Sequence, residues 1–236
     1  AARSLGGVRR VFLADGDAMV LPTRRLLEIL GQLREAFPDL QRVSSYCLPR
    51  NLAKKTVEEL AQLKDAGLEI LYVGMESGDD EILRRVNKGE TWESTRSALL
   101  KIREAGLTSS VMVLNGLGGE NLSRQHAINT ATLCNETQPD YLSTLVVSFP
   151  QGEERFREGF GDDFVPLSQK GLFEEIRLFL KHLELDKTIF RSDHASNYLV
   201  LKGTLGRDKQ KMLDQVNLAI TNPGAAPLRA EWMRGL

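Results

Sequence analysis

Ile70-Leu71-Tyr72-Val73-Gly74-Met75-Glu76-Ser77-Gly78 is the stretch from which the fold is read. Its first half is apolar, with β-branched and aromatic residues in the proportion of a buried strand. It stops abruptly at Gly74-Met75-Glu76-Ser77-Gly78. Asp79 and Asp80 follow, and Glu81 to Val86 then reads as a helix opened by acidic residues, which suit the positive end of the helix dipole. A carboxylate and a hydroxyl therefore stand at the carboxyl end of a strand, where α/β proteins gather their ligands. Taken alone, the motif has a plainer explanation: Ser77 and Asp79 cap the next helix while Glu76 is solvated.

The same arrangement recurs on either side. Upstream, Val8 to Ala14 reads as a strand closed by Asp15-Gly16-Asp17-Ala18, and Pro22 starts a helix with Leu26, Leu27, Leu30 and Leu33 on its apolar face. Gln41 to Cys47 is a second strand ended by Pro49. The helix after it opens with a capping box, Thr56 to Glu59, and stops at Gly67. Downstream, Thr91 to Gly106 is a helix and Leu107 to Leu114 a strand ended by Asn115-Gly116-Leu117-Gly118-Gly119. Ser123 is expected to cap a helix reaching Thr137. Asp140 to Phe149 is a strand ended by Pro150, and a polar loop runs through Asp163. Ser168 caps a helix to Leu183, Thr188 to Ser192 is a short strand, and Arg207 to Ile220 is the last helix. Strand and helix alternate about six times with short connections. That predicts an α/β fold with a parallel sheet and right-handed crossovers. An open doubly wound sheet and a partial barrel both fit. The echo of Lys64-Asp65-Ala66-Gly67-Leu68 in Arg103-Glu104-Ala105-Gly106-Leu107 favours barrel-like βα repetition, a partial TIM-type (β/α)6 barrel.

The balance of 31 Lys+Arg against 32 Asp+Glu gives a formal net charge of -1 and no sign of a nucleic-acid partner. Cys47 and Cys134 form neither a disulfide framework nor a metal-ligand spacing, which fits a reducing, cytoplasmic compartment. No signal peptide or membrane-spanning run is read. Ala1-Ala2-Arg3-Ser4-Leu5-Gly6-Gly7 opens without Met and reads as a helix tail with its glycine cap, so a preceding segment is expected.

Polar residues or glycines end nearly every strand: Asp15 and Asp17; Ser44 and Tyr46; Glu76 and Ser77; Asn115 with Gly116 to Gly119; Ser148; Arg191, Ser192 and His194. In a parallel layout these ends share one rim. The carboxylates could take an ammonium group, and Gly116 to Gly119 would let a ligand approach backbone amides, although a tight turn explains that loop equally simply. His194 suits a substrate-side acid or base, or merely caps its loop. His126 reads as structural.

The order Asp15-Gly16-Asp17-Ala18, Gly74-Met75-Glu76-Ser77-Gly78-Asp79-Asp80, Arg85-Val86-Asn87-Lys88-Gly89 and Asn115-Gly116-Leu117-Gly118-Gly119 resembles the radical S-adenosylmethionine (SAM) superfamily from about Val8 to Phe149. Phe190 to Leu199 looks like a late segment of one subgroup. The resemblance implies a radical SAM core of βα units at 1–150, a segment at 151–222 completing the barrel, and a tail at 223–236. It implies SAM as cofactor, with Asp15-Gly16-Asp17 near the methionine ammonium, Ser44 on the same rim, Glu76 and Ser77 at the ribose and Arg85 toward the methionine carboxylate. Asn115, Gly116, Gly118 and Val146 would lie near adenine. Arg191, Ser192 and His194 are substrate-side candidates, with no catalytic residue assigned. It further implies reductive cleavage of SAM to a 5′-deoxyadenosyl radical by a [4Fe–4S] cluster fed by an external electron donor, on an unknown small-molecule substrate.

The sequence departs from the family at one decisive point. The superfamily holds its cluster with a Cys-x3-Cys-x2-Cys loop after the first strand, and this sequence has none. The expectation is a core whose first βα unit lies outside this chain, inactive as it stands. A degenerate homologue, and a non-redox nucleotide- or phosphate-binding α/β module, are the competing readings. An uncovered edge at the first strand would invite self-association.

Overall fold

This is a computed structural model, and it describes residues 7–149 and 152–234. The readings placed on Ala1 to Gly6 and on Pro150 fall outside the described residues. Seven strands form one sheet in chain order, β1 to β7. They are β1 (Arg10–Leu13), β2 (Arg42–Cys47), β3 (Leu68–Glu76), β4 (Thr108–Asn115), β5 (Tyr141–Val146), β6 (Ile189–Ser192) and β7 (Leu201–Thr204). Contacts divide the chain into two units: residues 1–74 with 93–111, and residues 75–92 with 112–236.

In the first unit β1, β2 and β3 run parallel, with Leu13 opposite Ser45 and Tyr46 opposite Tyr72. Alternation along β2 and β3 buries Val43, Ser45, Cys47, Leu71 and Val73. Helix α1 (Thr23–Ala36) buries Leu26 and Leu30 and packs with α3 (Val57–Asp65), which buries Leu60 and Leu63. The capping box expected at Thr56 is present: its hydroxyl accepts from Glu59 N at 3.2 Å and Glu59 accepts from Thr56 N at 2.9 Å. Pro49 does not merely end β2. It opens a short helix, α2 (Pro49–Leu52), because a proline lacking a donor costs nothing in the first turn.

In the second unit β5 and β6 are parallel, and β7 returns antiparallel to β6, so the expectation of a wholly parallel sheet is corrected at its last strand. The helices are α4 (Asp80–Arg85), α6 (Gly119–Thr137), α7 (Glu154–Phe160), α8 (Gln169–His182) and α9 (Leu205–Thr221), while α5 (Trp92–Glu104) belongs almost wholly to the first unit. Helix α6 packs on α8, and α8 on α9. Two more expectations are corrected. Ser123 lies inside α6, which starts at Gly119 with Gly118 as its cap. The loop expected before Asp163 contains α7, whose Phe156 and Phe160 cluster with Phe149 and Phe164 at centroid distances of 4.7 to 6.0 Å. That aromatic burial stabilises a helix too short to persist on propensity. Among the described residues no helix is long and apolar enough to cross a membrane.

Candidate functional site

At the end of β1 the chain turns through Asp15, at φ 61°, and Gly16, at φ 134°. The Asp17 carboxylate accepts from Met19 N at 2.8 Å, Leu48 N at 2.5 Å and Asn51 Nδ2 at 2.7 Å. It therefore ties this turn to the start of α2, with three donors already on its two oxygens. Asp15 is exposed and has no hydrogen-bond or ion-pair partner among the described residues, which leaves its carboxylate open to an incoming cation. Ser44 is buried on β2. On the same strand face Phe12, Tyr46 and Tyr72 form an aromatic trio, with centroids 4.8, 5.3 and 6.4 Å apart.

The second unit begins where β3 ends. Glu76 stands at φ 60°, a left-handed conformation uncommon for a glutamate. Its carboxylate pairs with Lys88 Nζ at 2.9 Å, both side chains being less than one-fifth exposed. Lys88 was visible only as part of the Asn87-Lys88-Gly89 break, and its partnership with Glu76 was not read from sequence. Ser77 is fully buried; its hydroxyl accepts from Asp79 N at 3.0 Å and meets His126 Nδ1 at 2.8 Å. Asp79 caps α4 by accepting from Ile82 N at 3.0 Å, and Gln125 and Asn129 of α6 also donate to it. Gly78 is fixed by space as well: a Cβ there would lie 2.7 Å from the backbone of Asn129 and Thr130.

The glycine turn after β4 is packed, not open. Residues 115–119 are all buried. Gly116 N donates to Glu175 Oε1 at 2.6 Å, Asn115 Nδ2 donates to Leu172 O at 3.3 Å, and Gly119 N donates to Gly116 O at 3.1 Å. A Cβ on Gly116 would meet Leu172, and one on Gly119 would meet Val165 and Phe164. Glycine serves close packing at this turn. The Val146 amide donates to Ser196 Oγ at 3.1 Å.

The family model of the Radical SAM superfamily matches residues 1–131, more than half of the chain. The chain belongs to the radical SAM superfamily. A curated relative, the heme chaperone HemW of Bacillus subtilis, is 23% identical over 126 residues, covering 52% of this chain and 33% of HemW. The chain thus spans about a third of the length of that relative. Among solved structures, coproporphyrinogen III oxidase (HemN) from Escherichia coli, described as a radical SAM enzyme, superposes with a TM-score of 0.61 at 22% identity over 76% of this chain and 42% of HemN. Elp3 of Methanocaldococcus infernus superposes with a TM-score of 0.60 at 15% identity, over 89% of this chain and 54% of Elp3. At these identities the likeness shows the fold alone.

Among the described residues the superfamily's cluster finds no fitting ligands. Both cysteines are buried, and burial pushes the Cys134 thiol up to about 12, so it is not a thiolate near neutral pH. Among the described residues no group of three or more His, Cys, Asp and Glu could hold a metal ion. The remaining radical SAM candidates have defined surroundings. Arg85 forks between Glu81 at 2.9 Å and Asp163 at 2.9 Å and stacks over Phe160, and those two carboxylates raise its already high pKa. His194 holds Ser196 through Nδ1, with Oγ at 2.9 Å, as a loop-capping histidine does. Arg191 is exposed and donates to its neighbour Phe190 O, and Ser192 is buried in β6.

Sequence reasoning did not single out Glu175. Only 4% exposed, it accepts Gly116 N on Oε1 and lies 3.9 Å from His126 Nε2, while Oε2 makes no hydrogen bond of ordinary geometry. Burial raises its pKa, against the lowering influence of His126, the Ser123 hydroxyl and the Gly116 amide. One signal was available: Glu175 falls three residues after Leu172 and four before Phe179, on the apolar stripe of α8.

Proposed function

We propose that this chain is the nucleoside-binding part of a radical SAM enzyme core. The observation that carries the reading is Glu76: a half-buried carboxylate in left-handed backbone at the end of β3, held in place by Lys88, inside the matched stretch. A ribose diol donates hydrogen bonds, and a carboxylate fixed by one cation keeps acceptor capacity for it. In the first unit Asp17 is engaged by three N–H donors, so Asp15 is the freer of that turn's two carboxylates. Ser77 acts behind Glu76 by fixing its backbone, because its own hydroxyl is buried and bonded. When bound, a [4Fe–4S] cluster would supply the electron that cleaves SAM. The described residues would hold the nucleoside of SAM and not the cluster.

A phosphate-cradling module is the weaker reading, because the Gly116 turn is buried and its first amide already donates to Glu175. Calorimetric titration with SAM, S-adenosylhomocysteine and inorganic phosphate separates the two. Binding of both nucleosides, weakened about tenfold by Glu76→Gln through loss of a charged hydrogen-bond acceptor, supports the proposal. Binding of phosphate with no response to either nucleoside overturns it.

A further inference from the structure

Two loops of the second unit, the β3–α4 turn at Ser77 and the β4–α6 turn at Gly116, meet one buried polar node. The tautomer of its histidine follows from its partners. His126 Nε2 faces Leu114 O at 3.0 Å, and a carbonyl only accepts, so Nε2 carries the hydrogen. Nδ1 is then the acceptor for the Ser77 hydroxyl, at 2.8 Å, and Ser77 Oγ in turn accepts from Asp79 N. On the other side of the ring stands Glu175, 3.9 Å from Nε2 and bonded to Gly116 N at 2.6 Å. The two unpartnered atoms Glu175 Oε2 and Thr144 Oγ1 belong to residues that border one cavity of about 10 Å³, together with His126, Asn115 and Thr130. That is the lower limit for one water molecule.

A buried glutamate is costly, and α8 carries hydrophobic residues at the neighbouring stripe positions Leu172, Ile176 and Phe179. Glu175 also lies beyond the stretch that the family model matches, 1–131. We propose that Glu175 is a positioning residue for the nucleoside site: it holds the buried Gly116 turn directly and, by packing against the His126 ring, holds Ser77 in the orientation that fixes Glu76. The inference rests on the proposed nucleoside site for its consequence, though the coupling of the two turns stands without it. Helix α8 and the C-terminal segment that carries it thereby set the shape of a site whose contacting residues all lie earlier in the chain.

Amide hydrogen exchange on the whole chain, without ligand, tests the coupling. Glu175→Ala leaves the buried Gly116 N–H without an acceptor, and exchange should rise about tenfold both there and at Gly78 and Asp79. Glu175→Gln keeps an acceptor at Oε1 and should hold both segments within about threefold of the parent. His126→Gln should loosen Gly78 and Asp79 while leaving Gly116 unchanged. Faster exchange at Gly116 alone in Glu175→Ala, or equal loosening in the Gln and Ala variants, overturns the proposal. A uniform rise over every segment in Glu175→Ala reports general destabilisation, and the Gln and His126 variants then decide. The parallel readout is S-adenosylhomocysteine affinity, which should fall about tenfold in Glu175→Ala and recover in Glu175→Gln. If the parent binds no nucleoside, the proposed function fails, while the exchange result still decides the role of Glu175.

Discussion

Gly78→Ala is the sharpest test of how the β3–α4 turn is built. A methyl group at this position would lie 2.7 Å from Asn129 O, 2.7 Å from Thr130 Cα and 2.9 Å from Thr130 N. All three are backbone atoms of α6 in mid-helix, so no side chain can rotate away. Relieving such overlap in a packed core costs about 1–3 kcal/mol. The shift would also stretch the bond from Gly78 N to Thr130 Oγ1, now 2.8 Å, and weakening a buried donor's bond adds about 1 kcal/mol. The expected loss is about 3 kcal/mol, read by urea denaturation with circular dichroism and linear extrapolation. Gly31→Ala is the control. It lies within α1 with nothing within 4 Å of an added Cβ, and it should stabilise by about 0.4–1 kcal/mol by restricting the unfolded chain. A loss below about 0.5 kcal/mol for Gly78→Ala would mean that the turn and α6 are not in the contact described.

Other consequences follow from the same structure. Because burial raises the pKa of Glu175, its contribution to stability is fully present below about pH 4 and is lost as pH rises through the elevated value; the Gln variant should abolish that decline, and an identical pH profile for both proteins would contradict it. Cys134, with a thiol pushed up to about 12, should be inert to a thiol-directed reagent at pH 8 in the folded protein and reactive in denaturant; rapid labelling of Cys134 while folded would contradict its burial. Thr56→Ala removes one half of the capping box and should cost about 1 kcal/mol by urea denaturation, whereas Thr56→Ser should cost little.

The alternation of strands and helices was legible because each element carries its own period and stop signal. Examples are the Leu26–Leu30 spacing of α1, the capping box at Thr56 and the Ala-Gly ends of α3 and α5. The errors have local causes. Proline at 49 read as a strand stop, yet it is also a favoured first helical residue. Gly152 and Gly161 bracket α7 and disguised it as a loop, although Phe156, Phe160 and Phe164 carry a four-residue spacing that marks its packed face. Helix α6 begins on glycines, so the first conventional capping residue, Ser123, drew the boundary five residues beyond the observed cap, Gly118. Strand β7 is four residues long with a glycine in it, and its antiparallel return is set by pairing with β6 rather than by its own pattern. At the candidate site the motif around Glu76 could be read, because the residues that form it adjoin in sequence. Lys88, His126 and Glu175 could not, because their roles arise from partners 12, 49 and 59 residues away.

The most direct measurement is a backbone NMR titration of the isotopically labelled chain with SAM. The expected result is saturable shifts centred on Glu76, Lys88 and the Gly116 turn, requiring about tenfold more SAM in Glu76→Gln and absent with inorganic phosphate. Shifts that leave those three segments untouched, or a response to phosphate alone, would contradict the assignment of this rim to the cofactor.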